Sequence, residues 1–62
     1  MTAFELITFK GFLDCFWREY RSGKYSSQEK VYDALDEVYF AEFGEHRFKS
    51  FSAFRYRRDR YR

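Results

Sequence analysis

Proline is absent from this chain, and glycine occurs only at Gly11, Gly23 and Gly44. A fold built on many tight β-turns needs more of both, so a few helices with short connections are expected. Cysteine is nearly absent as well. Cys15 is the only one, which excludes a disulfide within the chain, and with His46 the sole histidine a structural zinc site is not expected. No apolar run approaches the roughly 20 residues that a membrane-spanning helix requires. The first residues do not form the basic segment and apolar core of an export signal. Together with the single unpaired thiol, this makes a reducing cytoplasm the expected location. A glycine-rich phosphate loop and a nucleophile elbow are also missing, and no cofactor is expected.

Aromatic residues are abundant: 9 Phe, 6 Tyr and 1 Trp in 62 residues. A chain of this length hides only about 60% of the surface its unfolded form exposes. Without disulfides or a metal, it must rely on dense packing or self-association. Each large ring can bury roughly 150–250 Å², so packing is the expected route, with a homodimer as a further possibility.

The net charge of +2 conceals a division. Residues 1–46 hold five Lys or Arg against nine Asp or Glu, a balance of −4, and residues 47–62 hold seven against one, a balance of +6. Segregation of this kind points either to a functional basic end or to an internal electrostatic clasp.

Thr2 followed by Glu5 has the spacing of a capping box, and Leu6, Phe9, Leu13, Phe16 and Tyr20 then recur at intervals of 3, 4, 3 and 4. That is one face of a helix over about residues 3–21, widened by Phe12 and Trp17. Gly11 interrupts it at a cost of about 1 kcal/mol relative to alanine. It marks either a close helix–helix approach or a helix that starts later, near Thr8. Arg18 and Arg21 suit the last turn, and Ser22-Gly23 reads as the stop. Ser26 and Glu29 form a second capping box opening a helix over about residues 27–43. Its apolar face is Val31, Leu35, Val38 and Tyr39, edged by Tyr32 and Phe43. Glu29, Asp33, Asp36, Glu37 and Glu42 cover much of the rest, and Gly44 ends it. A polar connection follows. Ser50 or Ser52 can then cap a third helix over about residues 51–61, anchored by Phe48, Phe51 and Phe54. The competing reading is a strand, from the alternation of Phe54 to Arg57, but it would lack a partner. The expected fold is therefore all-α, a compact three-helix domain with a basic C-terminal helix, forming one unit over residues 1–62.

Catalysis has little support in these residues. Cys15 and His46 could be imagined as a nucleophile–base pair, but Cys15 falls near the apolar face of the first helix and reads as core, while His46 reads as a solvated loop residue. The Asp33-Asp36-Glu37 carboxylates lie on an expected exposed face, where nothing would raise a pKa. The expectation is a protein that is not an enzyme.

Nucleic-acid binding is the sharper expectation. Arginine-rich helices neutralise phosphates, and arginine can read guanine edges with its forked donors. Arg55, Arg58 and Arg62 fall on one side of the third helix, with Arg57 and Arg60 beside them and Arg47 and Lys49 flanking its start. Tyr56 and Tyr61 could stack on the bases or sugars of a single strand. The succession of a helix, a turn holding Gly44 and a basic helix resembles helix-turn-helix DNA-binding domains over about residues 27–62. That resemblance implies Ser50–Tyr61 as the recognition helix. The chain departs from the pattern in a longer link, Gly44 to Lys49, and in Phe40, where the family carries a small residue.

Two other readings stand beside it. The basic third helix could simply pair with the acidic second one, where residues 29–45 carry six acids against Lys30. Alternatively, rings in excess of what the core can enclose could form a surface for a protein partner. Trp17, Tyr20, Tyr25 and Phe40 would form it, with the acids Asp33, Asp36 and Glu37. A short chain rich in aromatics and charge is similar in type to accessory proteins of bacteriophages and mobile elements, which implies a clamp on another protein.

Overall fold

A computed structural model describes residues 3–61. The Thr2 half of the first capping box and the Arg62 side chain lie outside them. The fold is all-α: a 3₁₀ turn, Ala3–Leu6, precedes α1 (Phe9–Arg21), α2 (Gln28–Phe43) and α3 (Phe51–Arg60). α3 is helical throughout the stretch where a strand competes in the sequence.

The first expected helix is thus two elements. Thr8 takes an extended backbone and its Oγ1 accepts from Gly11 N at 3.0 Å, while its carbonyl oxygen accepts from Phe12 N at 3.0 Å. This is an N-cap, and it lets the preceding turn fold back on the helix. Gly11 is where the two touch. A Cβ there would overlap the carbonyl oxygen of Glu5 and press on Thr8 Oγ1 at 3.0 Å. The later start near Thr8 is the expectation that holds, and the close approach is to the preceding turn rather than to another α-helix.

The other boundaries follow local chemistry. Ser27, rather than its neighbour Ser26, caps α2, its hydroxyl accepting from Lys30 N at 3.3 Å. Ser50 caps α3 and accepts from Ala53 N at 3.2 Å. Gly44 closes α2 in the left-handed region at φ 75°, and its N–H donates to Phe40 O at 2.8 Å. Only glycine takes that φ without steric cost.

The core is made of Leu6, Phe12, Cys15, Phe16, Val31, Tyr32, Leu35, Phe48 and Phe54. Relative to the expected stripe, α1 is turned so that Phe12, Cys15 and Phe16 point inward, Phe9 and Leu13 lie half-buried, and Tyr20 is exposed. The shift arises because α1 packs against both other helices, so its buried face is centred between them. Phe54 is the meeting point. Its ring centroid lies 4.9 Å from that of Phe16, 5.2 Å from Phe12, 5.5 Å from Phe48 and 5.6 Å from Tyr32. All four separations lie in the contact range of aromatic pairs.

Two substitutions test this packing. Phe54→Ala should cost about 3–5 kcal/mol, which is most or all of the stability of so small a domain, so the purified variant should lack a cooperative thermal transition. Gly11→Ala should lower the melting temperature although alanine is the better helix former. A higher melting temperature for that variant would refute the close approach to Glu5.

Candidate nucleic-acid interface

α3 projects its basic residues in several directions. Phe54 faces inward, so Tyr56 and Arg60, two and six residues further on, fall on the opposite side of the helix. Tyr56 is 59% exposed and the Arg60 guanidinium carbon lies 3.9 Å from its ring centroid. Arg55 is exposed with its guanidinium 5.6 Å from Phe51, and Arg57 is exposed with its own 4.9 Å from Phe9. Exposed cation–π contacts of this kind contribute about 0.5–1 kcal/mol. None of these three guanidiniums makes a hydrogen bond or ion pair among the described residues.

Arg58 behaves differently. Its side chain is only 16% exposed, Nη1 donates to Gln28 Oε1 at 2.7 Å, and Nε donates to Asp59 Oδ1 at 3.3 Å. Its guanidinium also lies 5.6 Å from the Trp17 ring and 5.8 Å from Phe16. Arg58 therefore ties α3 to the start of α2 and the side of α1, so the expected row of Arg55, Arg58 and Arg62 is not one free face. Arg47 is also built in. Its N–H donates to Asp36 Oδ1 at 3.0 Å, its Nε donates to the Leu6 carbonyl oxygen at 3.3 Å, and its guanidinium covers Phe48 at 4.7 Å. Lys49 is exposed beside α2.

The expected clasp does not form in the expected way. Among the described residues, no guanidinium of α3 pairs with a carboxylate of α2, and the polar tie between the two helices is the neutral Gln28. Asp36, expected on the exposed face, is half-buried instead. Its Oδ2 accepts from His46 Nδ1 at 2.6 Å while Oδ1 holds Arg47 N, so its carboxylate organises the α2–α3 link. His46 is accordingly not a bare loop residue; its ring also lies 4.8 Å from that of Phe40. Cys15 is buried, and its thiol donates to Glu5 Oε2 at 3.3 Å. Burial pushes that thiol above its ordinary pKa and the Glu5 bond adds to the effect, the reverse of what a nucleophile needs. Cys15 and His46 are thus committed to different partners.

Of the residues expected to meet a protein partner, Trp17 and Tyr25 are half-buried against the core, whereas Tyr20, Asp33, Glu37 and Phe40 are exposed. The sequence pattern did not reveal a second apolar area. Phe4 is 68% exposed, Ile7 is exposed beside it, and the Phe4 ring meets Phe43 edge-on at 6.2 Å. These residues precede the Thr8 cap and so fall outside the register of α1. A break after Leu6 is the signal that would have exposed them.

Among the described residues, no group of three or more His, Cys, Asp and Glu could hold a metal ion, and no helix is long and apolar enough to cross a membrane. No protein-family model matches this chain, and no curated protein or solved structure is significantly similar to it.

Tyr32, like Cys15, is a buried group whose ionisation is coupled to folding. Burial, followed by the charges of Asp36 and Asp33, pushes its phenol from 10.0 up to about 12. The unfolded chain therefore loses this proton first as pH rises. The stabilisation is complete below pH 10 and is lost as pH climbs through about 12. Denaturant titrations at stepped alkaline pH should show stability falling over that interval, and Tyr32→Phe should flatten the fall. An equal slope in the variant would place the effect elsewhere.

Proposed function

We propose that this protein binds nucleic acid without catalysing a reaction, and that the contact surface is the outer side of α3 with Arg55, Tyr56, Arg57 and Arg60. The observation that carries the reading is the pairing of each exposed guanidinium with a ring rather than with a carboxylate of α2. A guanidinium stacked on a ring keeps its charge and its forked donors, and it has already given up rotamer freedom. Phosphate is the anion that such an array suits. Tyr56, exposed beneath Arg60, supplies a stacking face for an unpaired base. Lys49, Arg62 and the built-in Arg47 and Arg58 add to the positive field at this end of the chain without each needing to touch the ligand.

A salt titration of fluorescence anisotropy tests it, using labelled duplex DNA and a labelled RNA single strand. Neutralising about four phosphates predicts a log–log slope near −3.5 on duplex DNA, at roughly −0.9 per phosphate. Arg55→Glu with Arg60→Glu should abolish binding and leave the helical signal unchanged. Arg58→Ala should instead cost about 1–3 kcal/mol of folding stability through the lost Gln28 bond and Trp17 packing. No anisotropy change with either ligand at low salt would sink the proposal.

A second reading rests on the exposed Phe4, Ile7, Phe40 and Phe43. Apolar side chains in this number suit a protein partner, and would make the chain an accessory protein of the kind phages and mobile elements carry. A photo-crosslinking residue at position 4 should then capture one defined host protein; random or absent crosslinks would reject this reading.

A further inference from the structure

Along one edge of α2, where the α2–α3 link and the start of α3 run beside it, lies an open cleft of about 360 Å³. Its walls carry Glu29, Asp33 and Asp36 from α2, and its aromatic lining is Tyr32, Phe48 and Phe51. Glu29, Tyr32, Asp33 and Asp36 follow one another at i, i+3, i+4 and i+7, so a single face of the helix builds that wall. The carboxylates are not equivalent. Both oxygens of Asp36 are occupied by His46 and Arg47, whereas Glu29 and Asp33 are exposed and have no hydrogen bond or ion pair among the described residues.

Tyr32 is the second, independent feature. It is 4% exposed, its ring is locked among Phe12, Phe48, Phe51 and Phe54, and its hydroxyl has no hydrogen-bond partner among the described residues. No buried side-chain N or O atom is left unsatisfied among those residues, so this hydroxyl reaches solvent through the surface Tyr32 retains, and Tyr32 lines the cleft. A phenol that is 4% exposed and without a hydrogen-bond partner among the described residues, lining one cleft with two unpaired carboxylates and two phenylalanine rings, matches a planar cation. The phenol oxygen and the carboxylates accept N–H bonds, and the rings meet the flat face. The protein already uses this chemistry on two rings that line the cleft, where Arg47 lies over Phe48 and Arg55 over Phe51.

We propose that the cleft is a binding site for the guanidinium of an arginine side chain presented by another polypeptide, with Glu29 and Asp33 pairing its charge and the Tyr32 hydroxyl accepting one of its N–H groups. Lys49 lines the cleft and the Arg55 guanidinium lies over its Phe51, so both are internal competitors for the two acids. His46 is held on Asp36 and does not compete for the two unpaired acids. This assignment stands apart from the nucleic-acid reading, because it uses α2 acids and needs none of the α3 arginines.

The test is an amide-resolved NMR titration of the whole protein with N-acetyl-arginine amide, with its neutral isostere N-acetyl-citrulline amide as control. The arginine compound should produce saturable shifts at Glu29, Tyr32, Asp33 and Phe51, with a Kd on the order of 1 mM for one side chain. Glu29→Gln with Asp33→Asn should weaken binding about tenfold while preserving the helical signal, since both are exposed. Tyr32→Phe should weaken it about twofold. Lys49→Gln should tighten it, because a like charge leaves the site. If the same amides also move when the protein alone is concentrated, the arginine comes from a second copy. If they move only with added probe, it comes from a different protein. Equal shifts with the citrulline compound, or shifts unchanged by the Glu29 and Asp33 substitutions, would overturn the proposal.

Discussion

The burial of Phe54 is the contact on which the arrangement of the helices depends. α3 has ten residues and only one fully buried side chain, so its position relative to α1 and α2 is decided largely by where that ring goes. The ring enters a socket made by Phe12 and Phe16 of α1, Tyr32 of α2 and Phe48 of the preceding link. Dense ring packing is how a chain with a single cysteine, and with no metal-holding cluster among the described residues, reaches a closed core at this size. Where the arginines point follows from it. Once Phe54 is fixed, helical geometry sends Tyr56 and Arg60 outward and turns Arg58 toward Trp17 and Gln28.

Two ways of placing a basic helix on an acidic neighbour compete in this fold. Direct ion pairs between exposed arginines and carboxylates contribute about 0–1 kcal/mol each and immobilise two long side chains. Stacking on a ring contributes a similar amount and immobilises one, because the ring is already held by the core. With rings this plentiful, the second arrangement prevails for Arg55 and Arg57. The consequence is electrostatic: the charges of the two halves stay uncancelled, a basic side on α3 and an acidic wall on α2. Both functional proposals draw on that separation.

The parts of this arrangement that were legible in the sequence are those governed by neighbouring residues. Gly44 and Ser50 mark helix ends because their chemistry acts within a turn of the chain. A hydroxyl at Ser26 or at Ser27 has the reach to cap, and the spacing to Glu29 points to Ser26 although Ser27 is the cap. The break at Thr8 was half-hidden, since the periodicity from Leu6 onward runs through it. Contacts between distant residues were not legible at all. Asp36 reads as a surface acid until His46 and Arg47, ten and eleven residues away, fold back onto it. Arg58 reads as one of a free row until Gln28, thirty residues away, meets it. Charge patterning counts such residues without saying which of them the fold consumes.

Arg47 shows why the fold consumes some charges and leaves others free. The link from residue 44 to residue 50 is polar and must be held without proline or a regular turn. Asp36 holds its backbone at Arg47, and the Arg47 side chain reaches the Leu6 carbonyl in the 3₁₀ turn while covering Phe48. One residue thereby joins α2, the link and the first element of the chain. A lysine there would keep the charge but not the planar face over Phe48 or the directed Nε donor. The basic half of the sequence therefore begins at a residue that the fold itself requires. Beyond it, Lys49, Arg55, Arg57 and Arg60 form no ion pair or hydrogen bond among the described residues, and the nucleic-acid proposal rests on that unconsumed charge.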